Sequence, residues 1–129
     1  MNTNILEKDL VYKISGCAMS VLNCLGHGLR EKTYENALCL EFEFNKICYR
    51  KQAVYPVYYR EVMIDEFIPD LVVENRIIVD LKTVDSIIDE HRGQILNYLR
   101  ITGLKVGLLL NFSHPKLEWE RLVLSDKKL

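Results

Sequence analysis

The sequence has little proline, little glycine and no surplus of either charge. Only 3 of its 129 residues are proline and 6 are glycine, which excludes a collagen-like chain and a Pro/Gly-rich disordered one. The 17 Lys and Arg residues are balanced by 18 Asp and Glu residues, for a formal net charge of −1. This balance argues against a protein that holds nucleic acid through a broad basic surface, but it allows a small local phosphate site.

Long apolar runs and paired metal-binding residues are also missing. No stretch approaches the ~18 consecutive apolar residues of a membrane helix, and residues 1–9 lack the basic and apolar sections of a signal peptide. We therefore expect a cytoplasmic protein that does not enter a membrane. The histidines are scattered, and the four cysteines lack the close pairs of zinc sites. We interpret these cysteines as buried free thiols: Cys17, Cys24, Cys39 and Cys48.

The hydrophobic fraction of 49% supplies the core of one domain, which we place over residues 1–129. Apolar residues at helical spacing predict three helices: Ile5–Leu25, Arg30–Phe44 and Asp89–Ile101. Segments rich in Val, Ile, Leu and Tyr predict extended structure: Ile47–Tyr59, Val62–Ile64, Phe67–Val73, Ile77–Thr83, Leu104–Phe112 and Glu118–Leu124. This order predicts an α/β fold with a mixed central sheet flanked by helices.

Two predicted strands form a hairpin that carries charged residues among apolar ones. If residues 74–76 form the loop, the numbers of paired residues add up to 150, and Asp70 lies opposite Asp80. Two like charges about 5 Å apart destabilise a sheet, whereas Mg²⁺ or Mn²⁺ would stabilise them. Lys82 lies on the same strand face as Asp80 and could stabilise a phosphate. The alternative is that Asp70 marks a bend after Pro69, with Asp80 and Lys82 solvated on an exposed face.

Polar residues also recur along two of the predicted helices. His91, Gln94 and Tyr98 form a line on the last helix, where they either contact a phosphate, base or metal-bound water or face solvent. On the second helix, Glu31 and Glu35 lie one turn apart, and either could reach the hairpin carboxylates. The alternative for Glu31 is that it complements the helix dipole.

Together, Pro69-Asp70 and Asp80-Leu81-Lys82 resemble the signature of the PD-(D/E)xK nuclease superfamily. The preceding glutamate-bearing helix and the following Gln94-xxx-Tyr98 strengthen the resemblance. The segment from Gly28 to Tyr34 also fits the motif of the GxxExxY protein family, a group placed in that superfamily. The resemblance covers nearly the whole chain and implies a restriction-endonuclease-like core with an extra N-terminal helix.

The resemblance implies roles for particular residues. Asp70, Asp80 and Glu31 would be metal ligands together with the Leu81 carbonyl, and Mg²⁺ or Mn²⁺ would be the cofactor. Lys82 would be the catalytic lysine, with Gln94 orienting water beside it. His91 and Tyr98 would contact the substrate. Two residues depart from the usual pattern, since Asp80 replaces the common glutamate and Ile68 replaces a basic residue.

The implied function is metal-dependent hydrolysis of nucleic acid, with DNA expected before RNA. The alternative is a nuclease-fold module without useful turnover that binds nucleic acid or a protein, which the near-neutral charge favours. A third hypothesis is a subunit that needs a second copy or a partner protein to complete a substrate groove, to which the Tyr-rich segment Val54–Tyr59 would contribute.

Overall fold

The computed structural model describes residues 7–124, which form three helices and seven strands. In chain order these are α1 Lys8–Leu25, α2 Glu31–Phe44, β1 Tyr49–Lys51, β2 Tyr55–Tyr59, β3 Val62–Phe67, β4 Leu71–Val73, β5 Ile77–Lys82, α3 Asp89–Thr102, β6 Val106–Asn111 and β7 Glu118–Val123. The three helices agree with the sequence prediction. The first residues of the predicted first helix, Ile5 and Leu6, lie outside the described part of the chain.

Five strands form one mixed sheet in the order β1-β4-β5-β6-β7. Only β5 and β6 are parallel, and α3 provides the long crossover that a parallel pair requires. The predicted α/β fold with a mixed sheet flanked by helices is confirmed, and it is consistent with a restriction-endonuclease-like core.

The sheet separates two apolar cores because side chains on β5 alternate between its faces. Val79 and Leu81 point into the larger core, which α1 and α2 cover. Ile78 points the other way, into a smaller core with Ile95 and Leu99 of α3. By the same alternation, Asp80 and Lys82 share the face of Ile78, on the α3 side of the sheet.

The predicted strand Phe67–Val73 is wrong, because the chain bends at residues 68–70 between β3 and β4. Pro69 has no N–H group for a strand ladder, and this favours a break at that point. The predicted register is confirmed from Val73↔Ile77 to Leu71↔Val79. Asp70 lies beyond the paired residues, so its predicted position directly opposite Asp80 in the ladder is wrong.

The predicted extended segment Ile47–Tyr59 is also divided, at Gln52, which has φ 56°. β2 and β3 then form a separate two-stranded sheet, which we call the arm. Its turn is at Arg60 and Glu61 as predicted, with φ values of 49° and 64°, typical of a two-residue hairpin loop.

The prediction that all four cysteines are buried is correct for only two of them. Cys17 and Cys39 are buried, and burial raises the pKa of both thiols. Cys24 and Cys48 are exposed. Cys24 lies in the last turn of α1, and Cys48 lies in the link before β1. At such positions the spacing of apolar residues does not predict whether a side chain is buried.

No helix within residues 7–124 combines the length and the apolar character that a membrane span needs.

The close approach of α3 to the sheet depends on Gly107 in β6. A Cβ atom at this position would lie 2.5 Å from Ile95 Cγ2. Replacing Gly107 by Ala should therefore lower the free energy of unfolding by about 1–3 kcal/mol, measured by urea denaturation. Gly93, exposed on α3 with nothing within 4 Å of its Cβ position, is the matched control. Gly93→Ala should stabilise the protein by about 0.5–1 kcal/mol. Equal stability of Gly107→Ala and the wild type would contradict this account.

Candidate active site

The candidate site lies where β5 extends past its neighbour β4. Pairing with β4 ends at Leu71↔Val79, whereas pairing with β6 continues to Lys82↔Asn111. The last three residues of β5 therefore have a strand on one edge only. Backbone groups on the other edge need different partners, since unpaired buried N–H groups are costly.

Two carboxylates accept hydrogen bonds from the N–H groups on this open edge. Leu81 N–H donates to Asp70 Oδ2 at 3.0 Å, and Thr83 N–H donates to Glu31 Oε2 at 3.1 Å. The Thr83 hydroxyl also donates to Glu31 Oε2, at 3.3 Å. The Lys82 carbonyl points to the opposite edge, where it accepts from Phe112 N–H at 2.9 Å. Because backbone groups alternate along a strand, the Leu81 carbonyl lies on the open edge, between Asp70 and Glu31.

Glu31 reaches this edge because Tyr34 anchors the start of α2. The Tyr34 hydroxyl donates to the Gly26 carbonyl at 2.6 Å and accepts from Leu29 N–H at 3.1 Å. Its fully buried ring stacks on Phe112 with 4.6 Å between centroids, next to the end of β6. These contacts attach the link between α1 and α2 to the sheet and fix the first turn of α2, where Glu31 lies.

Glu35, the other candidate on α2, has different partners. Its Oε2 lies 3.1 Å from Lys32 Nζ and 3.9 Å from Lys51 Nζ. Glu35 therefore forms ion pairs with neighbouring lysines, whereas Glu31 contacts the end of β5.

Asp80 and Lys82 form an ion pair on the α3 side of β5. Lys82 Nζ lies 3.2 Å from Asp80 Oδ2, and the two side chains are only 20% and 15% exposed. They are not the solvated pair of the alternative interpretation. That alternative is correct for Asp70, which follows Pro69 in a bend.

The surroundings of Asp80 disfavour its charged form. Burial raises the pKa of Asp80 to about 7, assisted by a hydrogen bond with Asp70 and by the Asp70 charge. Lys82 opposes this shift but does not cancel it. The two aspartates therefore lie within hydrogen-bonding reach of each other, although they are not paired in the ladder. Asp80 therefore keeps its proton to a higher pH than an ordinary aspartate, as expected for a buried carboxyl beside a second one.

A pocket of about 110 Å³ adjoins these carboxylates. Polar groups of two aspartates and a tyrosine contribute to its walls beside apolar side chains, and the lining residues are Phe67, Ile68, Pro69, Asp70, Ile78, Asp80 and Tyr98. The rings of Phe67 and Tyr98 stack with 3.9 Å between centroids, so the base of the arm is in contact with α3. Burial raises the pKa of Tyr98, with a further contribution from the Asp80 charge, which keeps its phenol protonated.

The other two predicted residues of α3 lie outside this pocket. Gln94 is exposed, and the His91 ring accepts a hydrogen bond from Ile88 N–H at 3.0 Å through Nδ1. That bond satisfies a free N–H group at the start of α3, as in half of a capping box. Of the predicted line on this helix, only Tyr98 lines the pocket with the aspartates.

The donor atoms at the site suit a hard divalent cation. Asp70 and Asp80 supply carboxylate oxygens, and the mutual hydrogen bond that raises the Asp80 pKa indicates uncompensated negative charge. Within residues 7–124, no group of three or more His, Cys, Asp and Glu side chains is arranged to hold a metal ion. The protein therefore offers a two-carboxylate site, with Glu31 bound to Thr83 beside it. Mg²⁺, which usually retains several water ligands, fits a site with so few protein ligands.

Sequence reasoning missed three residues at this site: Phe67, Thr83 and Asn111. Phe67 is predicted to begin the strand Phe67–Val73, whereas it is the last residue of β3, where its ring stacks on Tyr98. Thr83 directly follows Lys82, but its contact with Glu31 spans 52 positions. Asn111 is a polar residue in a fully buried strand, and that signal could have identified it.

Comparison with known families gives one match. The family model described as the PD-(D/E)XK nuclease superfamily matches residues 8–122. Neither a curated protein nor a solved structure matches the chain.

The raised pKa of Asp80 predicts a pH-dependent stability. Because the folded protein holds this proton up to about pH 7 and the unfolded chain releases it near the ordinary aspartate pKa of 3.8, stability should fall as pH rises between these values. Asp80→Asn should remove this loss. In the presence of EDTA, its unfolding free energy should exceed that of the wild type by roughly 1–3 kcal/mol at pH 8, with the difference vanishing below pH 4.

Urea denaturation at several pH values measures this difference. Asp85→Asn, in an exposed loop, controls for the loss of one carboxylate and should change stability by less than about 0.5 kcal/mol at each pH. Stability curves for Asp80→Asn and the wild type that run parallel between pH 4 and 8 would show that Asp80 is not the group responsible.

Proposed function

The chain belongs to the PD-(D/E)XK nuclease superfamily, and on this premise we propose that it is a divalent-metal-dependent nuclease that hydrolyses phosphodiester bonds. The observation that supports this proposal is the open edge of β5. It brings Asp70, the Leu81 carbonyl and Glu31 together along one edge, with Asp80 and Lys82 beside them.

In this proposal Asp70 and Asp80 would hold Mg²⁺ or Mn²⁺ together with the Leu81 carbonyl, and Glu31, bound to Thr83 beside them, would orient a water ligand of the ion. Such an ion supplies Lewis-acid polarisation of a phosphoryl oxygen and makes water more acidic. Asp80, whose pKa burial raises to about 7, would have to lose its proton to act as a ligand. We therefore expect ion binding to release a proton below about pH 7.

Lys82 supplies the positive charge for the reaction. Its ammonium group lies 3.2 Å from Asp80 Oδ2, so it is already held at the carboxylates by an ion pair. From that place it stabilises negative charge that develops on a phosphoryl oxygen, and it helps to position the attacking water. Because its side chain is only 20% exposed, this electrostatic effect is screened less than at an open surface.

The three predicted residues of α3 differ in how closely they approach the site in this proposal: Tyr98, Gln94 and His91. Tyr98 keeps its proton and lines the pocket, so it can donate a hydrogen bond to a phosphate. Gln94, one turn earlier and exposed, would contact water or substrate only further out. His91 would contact the substrate through Nε2, because its Nδ1 accepts a hydrogen bond from Ile88 N–H.

We also propose that the chain belongs to the GxxExxY group within the superfamily. Each residue of the motif has a role in the geometry of the site. Gly28 has φ 99° in the link between helices, Tyr34 attaches that link to the sheet, and Glu31 reaches Thr83. The motif therefore supplies both the glycine that the turn before α2 requires and the glutamate that reaches the site.

A nuclease fold that binds nucleic acid without turnover is the second candidate. The net charge of −1 and the pairing of Lys82 with Asp80 favour it, because both weaken attraction for a phosphate. DNA as the substrate, a cytoplasmic location and a second copy or partner protein stay predictions from the sequence.

A cleavage assay tests the proposal directly. End-labelled single-stranded, duplex and branched DNA and RNA are incubated with Mg²⁺, Mn²⁺ or EDTA. We expect metal-dependent cleavage by the wild type, and a fall in kcat of about 10²–10⁴-fold in Lys82→Ala, because charge stabilisation is lost. Lys13→Ala, on an exposed part of α1, should stay within about twofold of the wild type.

Three outcomes would count against the proposal. Equal cleavage by the wild type and Lys82→Ala would indicate a contaminant, and cleavage in EDTA would exclude the metal dependence. Tight binding of nucleic acid in EDTA without any product would support the binding module instead. Calorimetry on Asp80→Ala checks the ligand assignment separately, since unchanged Mn²⁺ affinity would exclude Asp80 as a ligand.

A further inference from the structure

Asn111 is a buried polar residue at the end of β6, and every hydrogen-bonding group of its amide has a partner. Its side chain is fully buried. Oδ1 accepts from Val84 N–H at 3.0 Å and from Ser113 N–H at 3.4 Å. Nδ2 donates to the Val84 carbonyl and to Glu118 Oε1, both at 2.8 Å. Because the oxygen and the NH₂ group of this buried amide both have hydrogen-bond partners, the Asn111 side chain has a defined orientation.

The Asn111 amide extends the pairing of β5 with β6 beyond the last strand residue. The final backbone bond joins Phe112 N–H to the Lys82 carbonyl. Two residues later, both backbone groups of Val84 bind the Asn111 side chain in place of another strand residue. Because backbone groups alternate along an extended chain, fixing Val84 on the β6 side directs Thr83 N–H to the open edge, where Glu31 accepts it.

We propose that Asn111 is a positioning residue of the active site, because it fixes Val84 and thereby holds Thr83 and Glu31 next to the Leu81 carbonyl. This inference rests on the proposed nuclease function for its chemical meaning. Its geometric part, the coupling of Asn111 to Glu31 through residues 83–84, stands independently of any activity.

Glu118 sets the direction of the Asn111 amide. The two residues are paired in the ladder between β6 and β7, and Glu118 Oε1 accepts from Nδ2. This places the NH₂ group toward the Val84 carbonyl and the oxygen toward Val84 N–H. Aspartate at position 111 has the same shape but no donor, and its charge would face Glu118. It would therefore lose the Val84 carbonyl as a partner, and repulsion between its carboxylate and Glu118 should also turn it away from Val84 N–H.

The rest of this loop has its own anchors, so Asn111 is not needed to hold it as a whole. His114 Nε2 contacts the Asp85 carbonyl at 2.5 Å. Arg92 donates to the Ile87 carbonyl at 3.3 Å and to Glu120 at 2.6 Å. We therefore expect the loss of Asn111 to act locally, on the two residues that follow Lys82.

Amide hydrogen exchange tests the geometric part. In Asn111→Asp, the Thr83 and Val84 amides should exchange at least about tenfold faster than in the wild type, with a much smaller change at Ile77–Val79. Gly107→Ala changes the same face of the same strand, four residues before Asn111 and against α3, and it controls for a general loss of stability. It should accelerate the strand amides together, without singling out Thr83 and Val84. Unchanged exchange at these two amides in Asn111→Asp would overturn the proposal.

A double-mutant cycle with Glu31→Gln tests whether Asn111 acts through Glu31. Each single variant should weaken Mn²⁺ binding by roughly tenfold, and the double variant should be no weaker than the worse single one. Effects that multiply in the double variant would overturn the positioning role. In the cleavage assay, Asn111→Asp should lower kcat and leave KM nearly unchanged when rates are expressed per mole of folded protein, because a smaller active fraction alone would lower the apparent kcat in the same way.

Two further cases need separate tests: an Asn111→Asp variant that does not fold, and a wild type that cleaves no nucleic acid. If Asn111→Asp does not fold, Glu118→Ala takes its place, because it removes only the bond that orients the amide. Faster exchange at Thr83 and Val84 would then support the inference, and unchanged exchange would overturn it. If the wild type cleaves nothing, the proposed function fails while the exchange result still decides the coupling between Asn111 and Thr83.

Discussion

The open edge of β5 is the constraint on which the rest of the site depends. β4 begins only at Leu71, so the backbone N–H groups of Leu81 and Thr83 have no strand within residues 7–124 to pair with on that edge. Acidic side chains satisfy them instead, one from the bend before β4 and one from α2. The requirement to satisfy backbone groups therefore brings together acids that are distant in sequence.

This arrangement is electrostatically costly in the absence of a cation. Burial and the nearby Asp70 raise the pKa of Asp80 to about 7, and the ion pair with Lys82 opposes this shift without cancelling it. Apolar packing on both faces of the sheet offsets the cost, since β5 has buried side chains in both cores. A fold can therefore retain a strained group of charges where binding needs it, provided that the surrounding core is well packed.

Much of the fold could be predicted because it depends on local patterns. The three helices followed from apolar spacing, and the Glu74–Arg76 loop fixed the hairpin register. The break at Pro69 could have been predicted from the proline itself. The separation of the arm from the main sheet could not have been predicted, because the choice of strand partners depends on contacts between residues distant in the chain.

The site was predicted in part, for related physical reasons. Alternation along the strands correctly placed Asp80 and Lys82 on one face. Helical periodicity grouped His91 with Tyr98 on α3, but the His91 ring accepts a hydrogen bond from Ile88 N–H at the start of that helix. The choice between Glu31 and Glu35 required the distance from α2 to β5, which sequence spacing does not contain. Asn111 was recognisable only as a polar residue in an apolar run.

The sequence separation of the site contacts has a consequence for folding. Asp70 and Leu81 are 11 positions apart and belong to one hairpin, whereas Glu31 and Thr83 are 52 apart. Contacts between nearby residues close with a smaller loss of chain entropy and tend to form earlier. We therefore expect the two aspartates to meet in an early hairpin, and Glu31 to join only after α2 has docked. The complete acidic site would then exist only in chains that have finished folding.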